Sequence, residues 1–556
     1  LDKSALDKAF DQLSQSESVV VAKSSGTIPT EQYDVQFFES DEIHTKSPTR
    51  YLPVGSNCKL YGSVQGRATY RTSVEDTVIS KTVADVCGVP QQWAGPKFRA
   101  TRDWQASLQY STLPSSGVEG SLLVAASKDY LQGMVSKLDE FPNVKKHVRP
   151  LTEMETVCGI DGLRFIDAMP VSTAVGYPLK GPKSQYIVDL DPADYPSHAC
   201  PRELDQQFWD AAYEMEECYT RGERAYAIFK ASKKDEPTPV TKEKVRIFQC
   251  APIALQLLIR RYFLPVARTF SVFPLVSECA VGINAQGPEW DQLSRYIRQH
   301  GEDRILAGDY SKYDLRMPAQ LMFAAFRIMI DIARHCGYDE ESLDIMTGIA
   351  TDVCYPLMAY NGDLIQHFGS NPSGQNLTVY VNSIVNSLLF RCAYYHIYRE
   401  RKNILPFAEV CALATYGDDA KSSVREDHPE FNHLSLAAFL EERDMKFTMP
   451  DKTSTPTAYM RDADADFLKR ASVFNEELGV FMGALDEDSI FKSLHSVLHS
   501  NALSKEEQAM QNMDGALREW FAHGKEKYEM RRKQMQQVAQ RCDLAHGCRL
   551  LDVSYE

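Results

Sequence analysis

The sequence predicts an α+β fold, and three observations carry the prediction. The centre of the chain alternates strand-like and helical segments, and from Ser489 onward the pattern is helical. The 556 residues, 44% of them hydrophobic, hold ample material for a large core. Residues 1–150 alternate short β-like runs with Gly, Pro and Ser turns, and loop-rich character continues to residue 245. A helical stretch follows over residues 254–263. Arg304-Ile305-Leu306-Ala307-Gly308 reads as a strand ending in Asp309, with Asp314 five residues on. Ala319 to His335 is apolar nearly all round, the pattern of a buried helix. Asn371-Pro372-Ser373-Gly374 reads as a flexible loop leading into a helix, on which Thr378 and Asn382, four apart, share a face. Val410 to Ala414 reads as a buried strand, Tyr416-Gly417-Asp418-Asp419 as a tight turn, and Lys421 to Val424 as the returning strand. In the helical tail, the charged stretch from Lys525 to Lys533 supplies a solvated face.

Composition narrows the function classes. A charged fraction of 25% is a globular value. No run approaches eighteen consecutive apolar residues, so no transmembrane helix is expected, and no signal-peptide pattern appears at the N-terminus. The first residue is Leu, as expected after release from a longer precursor or after simple trimming. Thirteen cysteines without paired spacing suggest reduced thiols in a cytosolic setting. Cys542…His546-Gly547-Cys548, and His495 with His499 one helical turn on, are conceivable zinc ligands that lack a fourth partner nearby. The net charge of −15 argues against an unspecific nucleic-acid coat protein, but local charge is what binds phosphate. Such a concentration runs through Arg221, Arg224, Lys230, Lys233, Lys234, Lys242, Lys244 and Arg246, which alternatively reads as a solvated loop. Walker-A, HExxH and GxSxG motifs are absent from the sequence.

The chemistry resides in carboxylates. Asp418 and Asp419 repel one another at a hairpin tip unless a cation lies between them, and adjacent aspartates suit hard Mg²⁺ or Mn²⁺. By themselves they also read as an ordinary solvated turn. If the two carboxylate-bearing strands are neighbours in one sheet, Asp309 and Asp418 converge. They can then hold two divalent ions about 3.5–4 Å apart, the arrangement of in-line phosphoryl displacement. Ser373, Thr378 and Asn382 supply short polar groups suited to a ribose hydroxyl, although taken alone they read more readily as a helix cap and two polar residues in a helix interface.

Taken in order, these segments resemble the RNA-dependent RNA polymerases of positive-strand RNA viruses, the picornavirus-like group in particular. Asp309-x4-Asp314 resembles motif A of that family, Ser373-Gly374-x3-Thr378-x3-Asn382 motif B, and Tyr416-Gly417-Asp418-Asp419 motif C. Ser172-Thr173-Ala174-Val175-Gly176-Tyr177-Pro178 resembles motif G, and Lys234-Asp235-Glu236-Pro237 with Lys244-Val245-Arg246 resembles motif F. Met449-Pro450-Asp451-Lys452 and Phe467-Leu468-Lys469-Arg470 resemble motifs D and E. Leu377 stands where many picornaviral enzymes have Gly. The motif F interval is shorter than usual, which leaves Lys242 as a stand-in for one family cation.

The resemblance implies a right-hand fold of fingers, a palm with an antiparallel sheet and a helical thumb, closed by fingertips. The implied division is 1–262 N-terminal extension and fingers, 263–318 palm, 319–372 fingers insertion, 373–485 palm and 486–556 thumb. It implies Mg²⁺, two ions with Mn²⁺ able to substitute, held by Asp309, Asp418 and Asp419, and Lys452 as the acid for pyrophosphate. Lys234, Lys244, Arg246, Asp314, Ser373, Gly374, Thr378 and Asn382 are the implied nucleotide contacts. Ser172, Thr173, Gly176, Tyr177, Pro178, Lys469 and Arg470 are the implied template and primer contacts. Implied partners are an RNA template and primer, NTPs, a genome-linked protein primer and other viral replication proteins. Release from a polyprotein and work at membrane-associated complexes in the host cytoplasm are implied too. Two other readings stay open: a reverse transcriptase, and a catalytically silent RNA-binding protein on a polymerase fold.

Overall fold

The computed structural model describes residues 36–37, 47–52, 56–64 and 68–556; the other N-terminal positions, including Lys46 and residues 1–35, lie outside the described residues. A four-stranded antiparallel sheet forms the centre, in the order Cys411–Tyr416, Asp419–Val424, Ile305–Tyr310 and Phe447–Thr448. The returning strand Asp419–Val424 looks polar in sequence yet is buried from Ala420 onward. Its polar groups are all engaged. Lys421 Nζ lies 2.8 Å from Asp462, and Ser422 Oγ donates to the Leu306 carbonyl at 2.8 Å.

Helices stack behind this sheet: Thr378–Ile397 lies against Cys411–Tyr416, and Ala319–His335 packs against that helix. Ala319–His335 forms over the residues that the sequence indicates and is buried along almost its whole length. Thr378–Ile397 runs beneath the hairpin with fourteen consecutive buried residues, apolar and small-polar apart from Arg391, which pairs with Glu278 and Asp129. The expected helix at 254–263 extends over Ile253–Val272 and carries Pro265 inside it. A second, six-stranded sheet brings together Gln36–Phe37, Cys58–Ser63, Asp363–His367, Leu357–Tyr360, Ile228–Lys233 and Ile247–Cys250. Its strands Leu357–Tyr360 and Ile228–Lys233 pair in parallel.

The reading of residues 1–150 as β-like and of the region up to 245 as loop-rich is corrected. Helices occupy Ser80–Cys87, Arg102–Ser111, Gly120–Glu140 and Gln206–Thr220. In the longest, Leu123, Ala126, Tyr130, Met134 and Leu138 recur at three- and four-residue spacing, so one face is buried. Neighbouring Gly and Ser residues obscure this period in the sequence.

Residues 74–93 meet the C-terminal helices. The strand Val74–Asp76 pairs with Ser496–Leu498, and Ile79, Val83 and Trp93 share one apolar core with Phe491, Leu517, Trp520 and Met535. The pairing of His495 with His499 as zinc ligands is corrected here, and among the described residues no three His, Cys, Asp or Glu, Cys542, His546 and Cys548 included, are gathered for a metal. The helix Glu487–His495 stops at His495, so His499 is not one helical turn further along. His495 instead bridges Ser80 Oγ and the Val89 carbonyl, each at 2.8 Å. All thirteen cysteines are unbridged. Among the described residues no helix is long and apolar enough to cross a membrane.

Candidate active site

Strand register sets the floor of the site. Tyr416 pairs with Asp419 across a two-residue loop, and Gly417 at φ 61° supplies the left-handed backbone at its first position. The pairing of Gly308 with Ala420 then lays Asp309 beside the turn that carries Asp418. The helix Thr378–Ile397 braces the tip from below. Ser383 Oγ accepts from the Gly417 amide at 2.9 Å, and Asn386 Nδ2 donates to the Gly417 carbonyl at 3.0 Å and the Asp419 carbonyl at 3.3 Å. Asn386 Oδ1 also accepts from Tyr310, next to Asp309, at 3.0 Å. One buried asparagine thereby ties the two acidic strands together. The sequence reading passed it over, although it stands four residues beyond Asn382 on the same helical face.

The aspartates divide their surroundings. Asp418 opens into the pocket; burial first, and then the charges of Asp309 and Asp314, push its carboxyl up to about 6. Asp419 turns toward the Phe467–Arg470 loop, where its Oδ2 accepts from the Leu468 amide at 2.7 Å. Burial and the charge of Asp418 still push it up to about 7. Lys452 Nζ lies 2.5 Å from Asp309 Oδ2. Among the described residues no group of three or more His, Cys, Asp or Glu is already gathered for a metal. Asp309 is engaged by a lysine and Asp419 by a backbone amide. The donor set nevertheless suits a hard divalent cation: it is made of carboxylate oxygens, and the nearby negative charges that raise Asp418 and Asp419 are what a cation would offset.

A pocket of about 880 Å³ rises over Asp418. Lys234, Lys244, Arg246, Asp314, Ser373, Asn382 and Lys452 line it. Arg246 forks onto Glu236 through two 2.6 Å bonds, and Lys234 reaches the same carboxylate at 3.6 Å. The rest of the basic run disperses. Lys233 is buried against Asp103 at 2.9 Å, Arg224 pairs with Asp352 at 2.9 Å, and Arg221 with Glu223 at 3.1 Å.

Asp314 and Asn382 meet directly, Asn382 Nδ2 donating to Asp314 Oδ1. Burial pushes the Asp314 carboxyl up despite this bond and the charge of Arg246. Asn371 Nδ2 donates to Asn382 Oδ1 at 2.8 Å and extends the network. Ser373 is held by Gln249, whose Oε1 accepts from its amide at 3.1 Å and its hydroxyl at 3.3 Å. A Cβ on Gly374 would stand 2.1 Å from the Gln249 carbonyl, so only glycine lets this loop dock on the strand Ile247–Cys250. Thr378 spends its hydroxyl on the Pro372 and Gln375 carbonyls at 2.8 and 2.9 Å, capping its own turn.

The remaining expected contacts stand apart from the pocket. Gly176 packs against Ala251 and Pro252, and Tyr177 is buried in a small core with Ile228 and Leu357. Thr173 Oγ1 accepts from the buried Lys183 at 2.6 Å, while Ser172 and Pro178 are exposed. Arg470 is bound to Glu519 at 2.6 and 3.0 Å, which joins its hairpin to the helix Lys505–Phe521. Lys469 stands exposed beside it.

The hairpin that carries Asp418 and the cations Lys244 and Arg246 thus meet at one pocket. Residues 104–543 match the family described as viral RNA-dependent RNA polymerase, and the chain belongs to that family. It is 25% identical over 444 residues to the replicase polyprotein of cricket paralysis virus, covering 76% of this chain and 24% of that one. The Drosophila C virus replicase polyprotein is 27% identical over 449 residues, covering 75% and 25%. The RNA1 polyprotein of cowpea mosaic virus is 26% identical over 453 residues, covering 77% and 23%. The chain thus spans about a quarter of these relatives. The solved structure of a sicinivirus RNA-dependent RNA polymerase shares the fold at a TM-score of 0.66 and 16% identity. That likeness covers 87% of this chain and 95% of that one.

Proposed function

We propose that the chain joins nucleotides by attack of a primer 3′-hydroxyl on the α-phosphate of an incoming NTP, on an RNA template. The new bond links that oxygen to the α-phosphorus, and the α–β bridging bond breaks to release pyrophosphate. The observation that carries the reading is one pocket holding Asp418, the Lys244–Arg246 wall and the Asp314–Asn382 pair together.

Asp309, Asp418 and Asp419 would hold the divalent ions, which when bound supply a lowered pKa for the attacking hydroxyl and neutralise the departing phosphate. Arg246 and Lys244 would take the triphosphate, Arg246 exchanging Glu236 for phosphate oxygens through its fork. Lys452 would leave Asp309 and give its proton to the pyrophosphate. Asp314 and Asn382 would read the ribose 2′-hydroxyl, which both donates and accepts. Ser373 and Gly374 would hold that wall in place through Gln249.

Fingers, palm and thumb would follow the boundaries inferred from sequence, and the shared core of residues 79–93 with the C-terminal helices supports closure by fingertips. Lys469 and the 172–178 loop remain our candidates for primer and template. The polyprotein relatives support release from a precursor.

Primer extension on a defined RNA template with Mg²⁺, run in parallel with NTPs and dNTPs, tests the reading. Elongation with NTPs is expected. Equal or better use of dNTPs would favour the reverse-transcriptase alternative, and no product from either would sink the proposal. Asn382→Ala is expected to lower the NTP-over-dNTP ratio of kcat/KM by about 10-fold, one buried hydrogen bond's worth; an unchanged ratio removes that residue from sugar selection.

A further inference from the structure

Lys312 has no part in the scheme above, yet it lines the same pocket three residues beyond Asp309. Its backbone sits in the left-handed region at φ 57° and ψ 40°, a conformation that costs energy for a lysine. Its ammonium stands 4.6 Å from the centre of the Tyr110 ring, a cation-on-aromatic contact that props the side chain in the pocket. Lys244, from a different part of the chain, lines the same pocket. Burial, the Lys312 charge and then those of Arg246 and Lys452 hold the Lys244 ammonium down at about 8.

The other cations of this pocket come with a counter-ion. Arg246 and Lys234 share Glu236, Lys233 has Asp103, and Lys452 has Asp309. Among the described residues, neither Lys244 nor Lys312 is in an ion pair with a carboxylate. Two ammonium groups brought together without an anion repel each other, and a multiply charged anion placed between them relieves both.

We propose that Lys312 and Lys244 form a two-lysine seat for the β,γ-phosphate end of the nucleotide, a deepening that rests on the NTP reading above. Lysine suits this place better than arginine would, because its rotatable donors follow a phosphate that moves as it leaves. An RNA backbone phosphate offers the same chemistry. The triphosphate is preferred because Asp314 and Asn382, which face the sugar, line the same pocket.

The test compares the parent chain with Lys312→Met, Lys312→Arg and Tyr110→Ala. It reads kcat and KM for NTP in primer extension, the Ki of inorganic tripolyphosphate against NTP, and the Kd of the primed RNA. Lys312→Met is expected to raise the NTP KM and the tripolyphosphate Ki together by about 5–20-fold, as loss of a charge-assisted contact to phosphate should. RNA Kd and NTP-over-dNTP preference should stay within about 2-fold, since neither uses this contact. Lys312→Arg should recover most of the loss, and Tyr110→Ala should give a smaller rise in the same two constants. An unchanged tripolyphosphate Ki in Lys312→Met overturns the proposal, and a weakened RNA Kd with that Ki unchanged assigns Lys312 to the RNA backbone instead. Failure of the parent itself to extend a primer, or of tripolyphosphate to compete with NTP on the parent, would bring down the underlying NTP reading, a result distinct from either.

Discussion

The floor and the wall of the pocket handle charge in opposite ways. On the floor, burial with the charges of Asp309 and Asp314 pushes Asp418 up to about 6, burial with the charges of Asp418 and Asp309 pushes Asp419 up to about 7, and Lys452 is held on Asp309. On the wall, Arg246 is held above its usual range by the bidentate Glu236, and Lys233 is buried against Asp103. The wall therefore brings most of its counter-charge with it, whereas the floor leaves a debt that something from outside must settle. Under the proposed function, such a site would be completed by cations from solution and an anion from the nucleotide.

Four measurements break or sharpen that contrast. The largest effect is expected from Asp418→Asn, which removes the floor charge facing the pocket while keeping its shape. Elongation rate should fall by about 10³-fold or more, in line with losing a preorganised charge at a phosphoryl-transfer site; a loss under tenfold would mean that the floor charge is dispensable. Next comes Lys452→Leu, for which single-nucleotide incorporation should slow by about 10²-fold as a proton donor is lost. If Lys452 is merely the counter-ion of Asp309, kcat should hold and only stability should change.

Asn386→Ala tests whether the brace under the tip matters to the floor alone. Loss of its bonds to Gly417, Asp419 and Tyr310 should lower kcat by about 10-fold with the NTP KM nearly unchanged, consistent with about 1–3 kcal/mol for an orphaned buried group. A rise in KM alone would move its influence to the wall.

The smallest effect is thermal. A carboxyl whose folded pKa exceeds its unfolded value near 4 contributes stability that is complete below that value and is lost as pH climbs through the folded pKa. For Asp418 and Asp419 that loss falls between about pH 4 and 7. Mg²⁺ should therefore raise Tm by a few degrees more at pH 8 than at pH 5.5, because only deprotonated carboxylates bind it. An Mg²⁺ shift independent of pH, measured by calorimetry, would count against the floor as the cation's site.

The floor was legible because its information is local. A buried apolar run, a glycine that permits a two-residue turn and a carboxylate at each strand end are written within a dozen residues, and strand pairing did the rest. The basic run from Arg221 to Arg246 was legible only in part: charge shows in sequence, but its partners Asp103, Glu236 and Asp352 come from near and far, and they decide which cations remain available. Asn386, Gln249 and Lys312 were missed for one shared reason. Their partners lie in other segments, Gly417, Asp419 and Tyr310 for Asn386, Ser373 for Gln249 and Tyr110 for Lys312, and only Asn386, on the helical face of Asn382, carries a local sign.

What the sequence by itself determined is the set of strand ends and turns that carry Asp309, Asp418 and Asp419, along with the order of the motifs around them. Backbone propensity and apolar periodicity act over short spans, and those spans contain everything such elements need. Only the tertiary structure decided which charges pair, that residues 79–93 complete the core of the C-terminal helices, and that Lys244 and Lys312 line one pocket. Those contacts join segments hundreds of residues apart in some cases, and the burial and repulsion that give them chemical meaning exist only once the chain has closed around them.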